Sequence, residues 1–199
     1  AVAINTKSGF AFPGGDAKVT LGSYGRRSVD AEYGGHRDNT DFYVATTIYN
    51  DRGWAQYNPS KVRQFFGKAG YQNERADLDF TLMYADNFLN GNQNVPLSTL
   101  DNPAAGYSHP DYNDTQSYTL NLRGSFQFSD EKSMGGNVYY RHINRNVLNS
   151  NIGDPVSTST NDPTCTLTAN CPASNLLAHY TQDVYGASAR LKNWKPSPR

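Results

Sequence analysis

Residues Tyr118 to Phe128 read YTLNLRGSFQF, and the order of residue types in that stretch decides the fold. Tyr118, Leu120, Leu122, Gly124, Phe126 and Phe128 share one parity; Thr119, Asn121, Arg123, Ser125 and Gln127 share the other. Successive side chains of an extended chain point to opposite sides, so a strict period of two gives a strand with one apolar and one polar face. The same pattern runs through Ala76, Leu78, Phe80, Leu82 and Tyr84, set against Asp77, Asp79 and Thr81. Weaker copies occur at Ala17, Val19 and Leu21; at Val29, Ala31 and Tyr33; at Phe65, Gly67, Ala69 and Tyr71; and at Tyr185, Ala187, Ala189 and Leu191. Thr40 to Asp51 and Ser133 to Asn146 read as strands of less clear phase. No stretch keeps the roughly 3.6-residue apolar period of a helix, so about eight strands and no helix are expected.

The connections between these strands alternate in length. Three are tight and polar, Arg37 to Asn39, Asn73 to Arg75 and Ser129 to Lys132, as hairpins require. The others grow along the chain: a tip at Tyr24 to Arg26, then Arg52 to Ser60, Phe88 to Asp114 and Val147 to Tyr180. Long and short ends are therefore segregated, as in outer-membrane barrels with short periplasmic turns and long outer loops. The expected strands, about 9 to 12 residues, match the roughly 9 to 11 that cross a bilayer at a tilt. Length and loop asymmetry together predict an antiparallel transmembrane β-barrel wall.

Composition agrees with that wall. Only 37% of residues are hydrophobic, yet the chain holds 14 tyrosines and nine phenylalanines. A lumen-facing half of each strand accounts for the polar average, and rings of interfacial aromatics account for the rest. Lysine plus arginine equals aspartate plus glutamate, 18 each, so no basic excess is available for nucleic acid. Residue 1 is Ala1 and the chain enters directly on an apolar run, which reads as a fragment of something longer.

The opening residues AVAINTKSG, Ala1 to Gly9, resemble the end of the plug domain of TonB-dependent receptors. Gly22, Ser23 and Tyr24 resemble the family's first hairpin tip, Glu32, Tyr33 and Gly34 its second strand, and DRGW, Asp51 to Trp54, the exit from its third. The resemblance implies a partial barrel, about eight strands of roughly 22 around a plug. It divides the chain into the plug's end and linker (1–15), the N-terminal part of the barrel (16–193) and a tail (194–199). It further implies a receptor in the outer membrane of a Gram-negative bacterium, surrounded by lipid. Such receptors import a scarce nutrient, most commonly a ferric siderophore, driven by the TonB energy-coupling complex through an N-terminal part. The alternative is a complete eight-stranded barrel with a structural or adhesive role, since eight strands suffice to close around a filled interior.

No catalytic constellation, cofactor motif or metal cluster is legible. His36, His109, His142 and His179 are scattered, and Asp77 with Asp79 reads as lumen lining. Gly34-Gly35 and Gly135-Gly136 read as strand glycines beside a bend or a closely approaching plug. The ligand-binding candidates lie on outer loops: Trp54 and Tyr57 on the second, Tyr107, His109 and Tyr112 (within YSHPDY) on the third. Aromatics beside a histidine can stack on a flat organic ligand or a metal chelate and hydrogen-bond to it. Loop packing and an interfacial girdle are their structural alternatives. Cys165 and Cys171 are expected to form a short disulfide across a loop tip.

Overall fold

The computed structural model describes residues 6–91, 100–106, 109–152 and 173–193. Eight strands follow in chain order: β1 (Gly14–Leu21), β2 (Arg27–Arg37), β3 (Thr40–Asp51), β4 (Ser60–Gln72), β5 (Ala76–Asn90), β6 (Tyr112–Ser129), β7 (Lys132–Ile152) and β8 (Ala173–Asn193). They form one antiparallel meander, each strand paired with its neighbours in sequence. The only helical element among the described residues is a 3-10 turn at Ser23–Gly25. β1 and β8 are not paired with each other, so the sheet is an open arc. The closed eight-stranded barrel is not what this chain forms.

The register puts the alternating sets where the sequence placed them. Phe80 faces Leu122, Leu122 faces Val138 and Val138 faces Ala187, while one residue along, Asp79 faces Arg123. The apolar set forms one face of the sheet and is exposed in the chain by itself, Leu122 at 50% and Tyr185 at 80%. An exposed apolar surface of this extent needs a nonaqueous neighbour. Tyrosines border it: Tyr84 lies opposite Tyr118, and Tyr140 opposite Tyr185. The Tyr84–Tyr118 row continues to His142 and Asp183, and in the row outward of it Asp86, Gln116, Asn144 and Thr181 face one another in turn. Aromatic side chains thus give way to polar ones toward the loop end, the pattern expected of strands that meet a membrane interface.

The last four strands are longer than expected, reaching 15 residues in β5, 18 in β6 and 21 in each of β7 and β8. Their tight turns fall where expected, so the extra length is all at the loop end. There polar and apolar residues are mixed on both faces, Asn144, Arg145 and Asn146 being followed by Val147 and Leu148, so hydropathy alternation carries no clear signal although backbone pairing continues. The outer connections correspondingly shrink to 91–111 and 153–172.

The other face is the inner one. It carries residues 6–13, which run back across the sheet before β1, and beneath them lie the most buried side chains, Tyr43 (3% exposed) and Asp41 (6%). Thr6 shares a cavity of about 490 Å³ with Thr81, Asn121 and Arg141, which places the segment over the polar set of β5, β6 and β7.

Candidate ligand-binding loops and the inner-face contact

The loop end is built on Asp51, the last residue of β3. Its carboxylate accepts from the Gly53 amide (2.7 Å), the Tyr49 hydroxyl (2.8 Å) and Arg26 Nε (2.8 Å). Those donors, Gly53 first, then Arg26 and Tyr49, hold the Asp51 carboxyl down at about 2. Gly53 has φ 80°, and a side chain there would overlap the Asn58 carbonyl, so the turn requires glycine. Arg26 comes from the first hairpin, whose Tyr24 carbonyl accepts from the Arg52 amide (3.2 Å). One carboxylate thus ties the first outer tip to the second.

The second loop (52–59) is tied in turn to the third. The Gln56 amide donates to the Ala104 carbonyl (2.8 Å), Asn90 Nδ2 to the Tyr57 carbonyl (3.1 Å), and the Asn90 amide to the Pro59 carbonyl (3.1 Å). Tyr57, held at φ 56°, stacks on His109 with centroids 4.0 Å apart and planes 17° apart. These two candidates, 52 residues apart in sequence, therefore form one aromatic surface. Tyr57 remains 55% exposed and Trp54, three residues before it, 56% exposed. Ser150 on β7 donates to the Pro110 carbonyl (2.5 Å), linking the third loop to the strand that leads into the fourth.

Tyr112 is elsewhere. It stands on β6 in the parity of Tyr118 and Leu120, the outer face, and stacks on Phe88 at 5.7 Å. Tyr107, Cys165 and Cys171 lie outside the described residues. Sequence reading missed Asp51 as the organiser; Asp-X-Gly at a strand end, the signature of a side chain capping its own turn, was the available signal.

The inner face has a second built contact. Lys7 Nζ donates to both carboxylate oxygens of Glu32 (2.7 and 2.8 Å), and the Tyr43 hydroxyl donates to the same carboxylate. The Gly9 amide donates to Asp41 Oδ2 (2.6 Å). A side chain at Gly9 would overlap the Gly35 and Phe42 carbonyls, and one at Gly34 the Phe12 carbonyl. The expected close approach at Gly34-Gly35 is thus made by residues 8–12. At Gly135-Gly136 the near neighbours are β6 and β8 themselves. Asp79 is ion-paired with Lys68 (3.1 Å). Among the described residues no three His, Cys, Asp or Glu side chains gather as a metal site.

An open antiparallel arc, with short turns at one end, interlocked loops at the other and a segment laid along its inner face, has the architecture of part of the wall of a larger β-barrel. The open form of the ferric-catecholate import receptor Fiu from E. coli K12 superposes on 92% of this chain with a TM-score of 0.75 at 12% identity. Its closed form superposes on the same share with a TM-score of 0.66 at 13% identity. This chain spans 31% and 29% of those two chains. No family model matches the sequence, and no curated protein does.

Proposed function

We propose that this chain is the first part of the barrel wall of a TonB-dependent outer-membrane receptor, with residues 1–15 as the end of its plug and linker. The observation that carries this reading is the eight-stranded match to Fiu over nearly the whole chain. The clasp of residues 7–12 on the inner face supports it, because a plug must hand its chain to the wall from inside. In this reading the TonB complex acts through the N-terminal part of the receptor. Its ligand is a scarce nutrient, and a ferric siderophore of the catecholate kind is the first candidate. Trp54, Tyr57 and His109 are proposed to meet that ligand, the rings by stacking and the imidazole by a hydrogen bond.

The test is a fluorescence titration of the full receptor with ferric catecholate and ferric hydroxamate chelates. Saturable quenching by the catecholate that shrinks in W54F, with affinity weakened about ten-fold in Y57A, supports the assignment; a stacking contact of about 1 kcal/mol plus lost buried area accounts for that size. Absence of saturable binding by either chelate removes the siderophore from the proposal.

A further inference from the structure

On β2, β3 and β4 the apolar outer face gives way to positive charge rather than to neutral polar residues. Arg27, Asn50 and Lys61 stand in one row across the three strands, and Val29, Ile48 and Arg63 stand in the next. Arg27, Lys61 and Arg63 are all exposed and share the parity of Val29, Ile48 and Phe65, so they belong to the outer face and not to the lumen. Asp86 on β5 approaches Arg63 at 3.5 Å; neither Arg27 nor Lys61 has a carboxylate within ion-pair distance among the described residues. The cluster is local. On β6, β7 and β8 the equivalent outer rows hold Gln116, Asn144 and Thr181, then Asp114, Asn146 and His179, with no lysine or arginine.

We infer that Arg27, Lys61 and Arg63 form a docking site for the phosphorylated headgroup of an outer-leaflet lipid, whose acyl chains lie on Val29, Ile48 and Phe65. The inference rests on the proposed outer-membrane location. Neighbouring strands are about 4.8 Å apart, so Arg27 and Lys61 stand roughly 10 Å from each other and both reach one headgroup. Cations beside an apolar belt at a membrane interface attract anionic lipid, each by roughly five-fold in affinity. Arginine adds paired hydrogen bonds to phosphate oxygens. The apolar residues directly below supply the second half of a lipid's chemistry, which favours a lipid over a free phosphate.

The test uses the full receptor in phosphatidylcholine nanodiscs titrated with fluorescent lipopolysaccharide, intact or dephosphorylated, after folding is confirmed by heat-modifiable gel mobility. Intact lipid is expected to bind the unaltered protein more tightly than the dephosphorylated form. R27Q/K61Q/R63Q is expected to weaken that binding about 100-fold and erase the preference, while the inner-face triple K18Q/R123Q/R141Q leaves both unchanged. K61Q alone, which spares the Arg63–Asp86 pair, gives about a five-fold loss and serves if the triple variant misfolds. Equal binding of the two lipid forms by a folded, inserted receptor overturns the inference and leaves the location intact. Equal losses in the outer-face and inner-face triples overturn it as well. A receptor that does not insert at all overturns both.

Discussion

At the residue scale, single side chains set where the chain can go. Gly34 has no room for a side chain because the Phe12 carbonyl lies against it, whereas Gly91 has nothing within 4 Å. Gly34→Val is therefore expected to lift residues 8–12 from the wall at a cost of about 1–3 kcal/mol, the usual range for forced overpacking. Gly91→Ala is expected to leave stability unchanged, and thermal unfolding of the two variants side by side checks the pair. Asp51 makes a prediction in pH. Its carboxyl is held at about 2 against a usual 3.8, so its hold on the turn is complete above the usual value and is lost as pH falls through about 2. Hydrogen exchange should show protection of the Gly53 amide falling between pH 4 and pH 2, while Asp51→Ala, which has no side-chain acceptor, is unprotected at neutral pH and shows no such step. Neither role follows from residue type alone. The approach to Gly34 comes from a segment 22 or more residues earlier in the chain, and Arg26 reaches Asp51 across two strands.

At the element scale, alternation within each strand was legible because one face must be apolar and the other is free to be polar. Tyr118 to Phe128 and Ala76 to Tyr84 pair in the register their parities imply, Leu82 opposite Leu120 and Thr81 opposite Asn121. The tight turns were legible too, at 38–39, 73–75 and 130–131. The outer halves of β7 and β8 were not, since beyond Tyr140 and Tyr185 polar and apolar residues are mixed on both faces and the pairing is carried by the backbone. The Tyr57–His109 stack was equally hidden: composition marked both rings as candidates, but only the cross-loop hydrogen bonds at Gln56 and Asn90 bring them together. The face assignment predicts unequal tolerance of charge. Leu122→Arg is expected to destabilise the inserted protein by about 2–4 kcal/mol, and Asn121→Arg by less than 1. Urea unfolding in lipid vesicles measures both, and equal costs would show that the two faces meet the same medium.

At the scale of the whole molecule, the wall explains features that a compact water-soluble domain would leave without cause. Among the described residues hardly any apolar side chain is buried, Tyr43 and Ala55 excepted, while a continuous apolar face is left exposed. In the proposed receptor lipid supplies the missing contact, the inner segment covers part of the polar face, and the edges β1 and β8, unpaired with each other, are closed by the rest of the barrel, as a bilayer demands of every backbone group. The most direct measurement is quenching by brominated lipid of single tryptophans placed in turn at residues 116 to 124 of β6, in the full protein after reconstitution. Quenching at 118, 120, 122 and 124, with none at 117, 119, 121 and 123 and a sharp fall at 116, is the predicted result. Equal quenching of both parities, or quenching of neither while a water-soluble quencher reaches them all, would contradict a wall with one face in lipid.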